Sequence, residues 1–409
     1  MAAGKIFLNN FAYTFVIRRF NLDKTKGFIM HMLYISYTFI LFLLSIFSYA
    51  FVDHNLGYMS ILYSGFSQNQ RGLTAALFIL FVFSLFAIYS VTLYMIKKEK
   101  LKMQEVKLLI GITVLVLFLS YPAMLSYDIF NYIATAKVSF FYHENPYLIM
   151  PIEFIGDPLI SFTRAANKVA LYGPVWISLT SLPYLSGFGN FVAILFSFKL
   201  LNIFFYLSTI ILLWKISKNL LTISLFAFNP LVILETLVSA HNDISMMFFA
   251  LLSFFLLLQR KILLACILLL FSIGIKYATL FLLPVFVYTL FKHYSHQKIS
   301  WNKIFLWSSI SMLLVVFTAP LREEIYPWYG IWFLLFGALI TRPRFLVFIY
   351  IAFSFGLLLG YTPYLYSGTY SGQTPLLKTI IMLSPFVLSI VCLVLKESIW
   401  KKQSMRLYS

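Results

Sequence analysis

Apolar stretches long enough to cross a bilayer, roughly 20 residues each, recur from one end of this chain to the other. Leu77–Ile96, "LFILFVFSLFAIYSVTLYMI", is one example. No other feature restricts the fold as much. Within lipid the backbone must satisfy its own hydrogen bonds, so such stretches form helices unless they alternate like barrel strands, and these do not alternate. With 61% hydrophobic residues, 11% charged residues and a mean hydropathy of +0.90, no water-soluble core would hide the apolar surface. The class is an all-α, polytopic membrane protein.

About twelve transmembrane helices are expected, near 28–52, 73–96, 107–127, 188–214, 220–238, 244–259, 262–275, 277–291, 303–320, 329–341, 345–361 and 378–396. Several are short for a bilayer, so they must tilt, be shielded by neighbours or sit where the membrane thins. The pair 262–275 and 277–291 reads as a hairpin or as one long helix. Basic residues at both ends, "QRK" and "KHYSHQK", favour the hairpin.

Lys and Arg collect on one side of these spans: in the N-terminal segment, "KKEKLKMQEVK", "KISKN", "QRK", "KHYSHQKISWNK", "TRPR" and "KESIWKKQSMRLYS". These segments hold most of the 31 Lys and Arg and, of the 13 acids, only Asp23, Glu99, Glu105 and Glu397. The positive-inside rule then places both termini in the cytoplasm of a multi-pass cell-membrane protein. The net charge of +18 reflects topology and anionic lipid rather than a nucleic-acid partner. One integral-membrane domain covers 1–409. Residues 1–27 form an interfacial, cytoplasmic start with no signal cleavage site. Residues 128–187 form a large extracytoplasmic loop carrying interfacial helices, and 397–409 form a cytoplasmic tail. Cys266 and Cys392 lie inside apolar segments and suggest neither a disulfide framework nor a metal motif.

The opposite side gathers the unusual residues. Asp128, Lys137, Arg164 and Lys168 occupy the large loop, His241, Asn242 and Asp243 end an outward span, Lys276 tips the hairpin, and Arg322 follows the 303–320 span. Asp128, in "SYDIFNY", reads as an N-cap or as a partly desolvated carboxylate whose raised pKa suits a general base. Tyr132 shares its helix face. Glu235, Ser239, Asn242 and Asp243 trace one polar stripe, with His241 off it at the same helix end. Glu235 is the deeper acid and reads best as an interhelical clasp. Lys276 either snorkels or holds a phosphate. Arg322 offers a fork for phosphate oxygens or pairs with Glu323 or Glu324. "HND" is not a recognised metal spacing, and no glycine-rich nucleotide loop is present.

Taken in order, "SYDIFNYIATAKV…NPY", "YGPVW", "FNPLVILETLVSAHND", "IKYATLFLLP" and "YPWYGIW" resemble the GT-C superfamily of integral-membrane glycosyltransferases. They are most similar to the bacterial polyprenol-phosphate-mannose-dependent α-mannosyltransferases. The resemblance covers about 126–340 and implies a GT-C-like fold with Asp128 as the catalytic acid/base of the first large outward loop. It implies that Lys276 and Arg322, and with them Lys137 and Arg164, contact the donor phosphate. Tyr132, Tyr172, His241, Asn242, Asp243, Trp328 and Tyr329 are then expected around the acceptor and substrate. Many superfamily members place one span before the catalytic loop and a soluble domain after the spans; here three spans precede it and no such domain is expected.

The function so implied is an inverting hexosyl transfer, mannose first, from a polyprenyl-phosphate sugar to a glycan or glycolipid acceptor on the outer membrane face. Its leaving group is already a phosphate ester, so neither a cofactor nor a divalent metal is required. Two alternatives stand beside it. A transporter or flippase of lipid-linked sugars would show inverted repeats, and none is evident. A surface-glycan ligase or polymerase using a polyprenyl diphosphate would carry a larger outer basic cluster.

Overall fold

The computed structural model describes residues 30–53, 56, 65–161, 163–321, 324–340, 342–343 and 345–407, with side chains to 396. Among them every regular element is a helix. Among the described residues six helices are long and apolar enough to cross a membrane: Met30–Phe51, Arg71–Lys97, Phe191–Ser217, Trp301–Leu321, Phe345–Ser367 and Thr374–Lys396. A seventh span is formed if the pair Leu220–Ala227 and Pro230–Val238, bent by 56°, counts as one. Asp243–Leu258 and Ile262–Ile273 are apolar but shorter. The chain is therefore an all-α polytopic membrane protein.

Each expected span falls on a helix or a broken helix, but among the described residues only six of the twelve, or seven with the bent pair, are long and apolar enough to cross a membrane. The segment 107–127 becomes Met103–Phe118 followed by a short turn at Pro122–Met124. Between 262 and 294 the chain breaks after Ile273, and a 3-10 turn at Tyr277–Leu282 leads into Leu283–Tyr294.

Lipid and protein divide the helix surfaces between them. Only 17% to 50% of each long span's apolar window is buried, and Leu80, Phe83, Leu115, Phe204, Trp307 and Leu388 stand exposed. A soluble protein would hide such residues; in a bilayer they face acyl chains. Two segments behave oppositely. Residues 226–247 and 327–340 are buried at every position. Gly330–Gly337, "GIWFLLFG", would rise only about 12 Å, far short of a bilayer. Protein therefore surrounds it: Trp301–Thr318, Phe345–Leu359 and Asp243–Leu258 all pack against it.

The segment 128–187 supplies two further helices, Asp128–Phe140 and Pro174–Ser186, packed on each other and on Phe191–Ser217. The first is buried along nearly its whole length, so its neighbours are protein rather than headgroups.

Candidate active site

Asp128 enters the site because the chain before it is tied down. Pro122 cannot donate to a helical ladder, and the helix Met103–Phe118 stops short of it. Its last carbonyls are satisfied from another span: Lys199 Nζ, fully buried, donates to Leu117 O at 2.7 Å, Ser120 O at 2.5 Å and Ser120 Oγ at 2.8 Å. Tyr121 N–H donates to Ser48 Oγ at 2.7 Å. The next helix then starts with Tyr127 as cap and Asp128 in its first turn, with no side-chain capping bond. Capping does not account for Asp128.

Its carboxylate instead faces His241. His241 Nδ1 lies 3.5 Å from Asp128 Oδ2, and His241 Nε2 lies 3.3 Å from Glu235 Oε2. Tyr361 OH donates to Glu235 Oε1 at 3.0 Å. His241 and Glu235 are wholly buried, whereas the Asp128 side chain keeps 22% exposure. A line of groups thus runs from Tyr361 through Glu235 and His241 to an acid that solvent reaches.

Local backbone irregularity makes this possible. Leu234–Val238 is a π-helical turn, so Ser239 N–H reaches back to Leu234 O and His241 N–H to Glu235 O. Such bulges recur at functional sites. Ala240 follows in the left-handed region at φ 55°, unusual for a residue with a Cβ. Its carbonyl accepts from Asn202 Nδ2 at 3.0 Å. The regular stripe expected from Glu235 to Asp243 is broken by this turn, and His241 swings into the centre.

A second ion pair adjoins the first. Lys276 Nζ donates to Asp243 Oδ2 at 2.8 Å, and Trp332 Nε1 donates to Asp243 Oδ1 at 2.6 Å. Lys276 keeps 18% exposure, and Asp243 has none. Lys276 is held by a loop-to-loop contact: Gly173 N–H donates to Ile275 O and Val175 N–H to Gly274 O, both at 3.0 Å. A Cβ on Gly173 would lie 2.1 Å from Gly274 O, so only glycine permits this approach. The "YGPVW" and "IKY" motifs therefore meet through their backbones.

Aromatic rings line the rest. Trp328 stacks on His241 with centroids 4.0 Å apart, and Tyr326 stacks on Trp328 at 4.5 Å. Tyr329 stacks on Trp332 at 4.2 Å. Tyr132 accepts from Asn242 N–H at 3.3 Å and meets Tyr172 and Trp176 edge-on. Asn242 is buried with neither side-chain amide atom paired among the described residues.

The remaining expected residues lie elsewhere. Lys137 forms an ion pair with Asp157 at 2.8 Å, about 13 Å along the helix axis from Asp128. Tyr142 OH shares that carboxylate. Arg164 is exposed and sits over the Tyr127 ring at 4.6 Å, next in sequence to Asp128. Arg322 is outside the described residues. Glu235, placed as a clasp, is both a clasp to Tyr361 and the second partner of His241; its depth in an apolar helix was the signal. Nothing in the local sequence marks Trp332 or Tyr361 as partners of these acids.

The electrostatics follow from the pairing. Burial alone would lower the pKa of His241, but the Asp128 and Glu235 carboxylates outweigh it and raise it to about 9. Burial alone would raise that of Asp128, but His241, the nearby Lys276 charge and Asn131 together hold it below the ordinary carboxylate range. The expected upward shift of Asp128 is thus reversed by a cation that sequence spacing does not reveal. Among the described residues no three His, Cys, Asp or Glu side chains converge to hold a metal ion.

A multi-span helical protein with carboxylates, a histidine, a lysine and aromatic rings gathered at one site fits the class of membrane glycosyltransferases. Residues 37–292, more than half of the chain, match the family model described as alpha-(1->6)-mannopyranosyltransferase, N-terminal domain, and the chain belongs to that family. No curated protein and no solved structure matches it.

Proposed function

We propose that this chain moves a mannosyl group from a polyprenyl-phosphate mannose to a hydroxyl of a glycan or glycolipid on the outer face of the cell membrane. Its family points to an α(1→6) linkage. Asp128 is the general base. Its carboxylate is ionised at neutral pH, is the part-exposed end of an otherwise buried group, and is the single observation that carries the reading. As the acceptor oxygen attacks the anomeric carbon, its proton passes to Asp128 and the bond to phosphate breaks. The electron pair leaves with the polyprenyl phosphate, and configuration inverts. Lys276, Arg164 and Arg322 are assigned to the donor phosphate, where fixed cations favour the growing charge. Lys276 is partly exposed and already neutralised by Asp243, which suits a cation that must release its product.

Purified protein and radiolabelled polyprenyl-phosphate mannose, with membrane lipid acceptors, test this directly. Asp128→Asn is expected to lower transfer by about 10²- to 10⁴-fold without changing membrane insertion. Near-normal turnover in that variant rules out Asp128 as the base.

A further inference from the structure

We infer that His241 is a positioning residue: a buried imidazolium clamped between Asp128 and Glu235 that keeps the Asp128 carboxylate ionised and aimed, and that keeps its own protons throughout the reaction. The inference rests on the reading of Asp128 as the base.

Both ring nitrogens face carboxylate oxygens, and the two acids come from different elements, the start of Asp128–Phe140 and the π turn Leu234–Val238. A neutral imidazole has one N–H and one lone pair. In that form, one of the two carboxylates would face a lone pair across a buried contact. Two ionised carboxylates are both served only by the cation. His241 has no exposure, so an acceptor hydroxyl does not reach its nitrogens. That separates it from the acceptor-binding role expected of the "HND" segment.

The charges around it give the clamp a purpose. Asp128 and Glu235 flank the His241 ring, and Lys276, which pairs with Asp243, acts on Asp128 from further off. Without the His241 charge, Asp128 and Glu235 would stand on either side of an uncharged ring in a poorly solvated site, and like charges so placed favour a proton on one of them. A protonated Asp128 accepts nothing from the acceptor. Tyr361 OH on Glu235, and Tyr132 and Tyr172 near Asp128, are further titratable neighbours.

The ring is also fixed in place. Trp328 covers one face, and the left-handed Ala240 with its Asn202 bond sets the backbone. When Asp128 takes the acceptor proton, the His241–Glu235 pair is left intact, and the site becomes less negative as the phosphate becomes more so.

Full-length protein in nanodiscs, labelled with ¹⁵N-histidine, tests the inference without turnover. One histidine is expected to stay protonated on both nitrogens at pH 8, to titrate near 9, and to vanish in His241→Gln. A His241 that is neutral at pH 7 overturns the inference. Kinetics supply the second arm. In Glu235→Gln, kcat is expected to fall about 10- to 100-fold, as when an outer partner is lost, with KM for the donor within about threefold. The alkaline limb of the pH profile should move down toward the ordinary imidazole range. An unmoved limb overturns the inference as well. If wild-type protein transfers no mannose, the donor assignment fails, and the NMR result still decides the state of His241. If Glu235→Gln does not fold, the wild-type titration alone remains decisive.

Discussion

Asp128 is a weaker base than an isolated carboxylate because its neighbours favour the charged form. That same pairing leaves it ionised across the physiological range, and in the proposed reaction proton transfer then depends on alignment with the acceptor more than on basicity. His241 links this site to folding. Its pKa is raised from the usual 6.5 to about 9, so its contribution to stability is complete below about pH 6.5. That contribution declines as pH rises and is lost through pH 9. Thermal unfolding in detergent should therefore show the midpoint falling across that window in wild type and nearly flat in His241→Gln. Equal slopes in the two proteins would separate His241 from the folding equilibrium.

At the scale of elements, the site is assembled where helices stop. Met103–Phe118 ends on Lys199, the bent pair 220–238 ends in a π turn, and Ile262–Ile273 gives way to the Lys276 loop. Interrupted helices free backbone groups at membrane depth, which is tolerated only where protein or a cavity satisfies them. One tight junction is Gly173 against Gly274. In Gly173→Ala the added methyl, 2.1 Å from a carbonyl oxygen, must push the 172–176 strand of chain away from Lys276. Misplacement by about 1 Å costs transfer on the order of 10²-fold, with helical circular dichroism unchanged. Wild-type rates in that variant would show that the loop contact does not position Lys276.

Across the whole molecule, apolar exposure along the long spans and full burial of 226–247 and 327–340 describe a protein solvated by lipid outside and packed within. Under the proposed function the basic connections belong to the cytoplasmic side and the site to the outer one, as the positive-inside rule requires. Single cysteines in a chain with Cys266 and Cys392 replaced by Ser provide the check. Lys168→Cys should react with a membrane-impermeant maleimide on intact cells, and Lys98→Cys only after permeabilisation. The opposite pattern would turn the site toward the cytoplasm.

The helical class, the positions of the apolar segments and an acid, Asp128, at the end of one of them were legible in the sequence, because lipid leaves the backbone almost no alternative to a helix and makes an acid beside an apolar run conspicuous. The convergence of Asp128, His241, Asp243 and Lys276 was legible only as a shared side of the membrane. Which of them pair was decided by tertiary structure. A π turn shifted His241 off the regular helical period, Tyr361 and Trp332 reached Glu235 and Asp243 from 126 and 89 residues away, and Asp157 drew Lys137 aside. Periodicity describes one helix at a time. The charge state of a buried acid depends on whichever cation the remaining helices bring beside it.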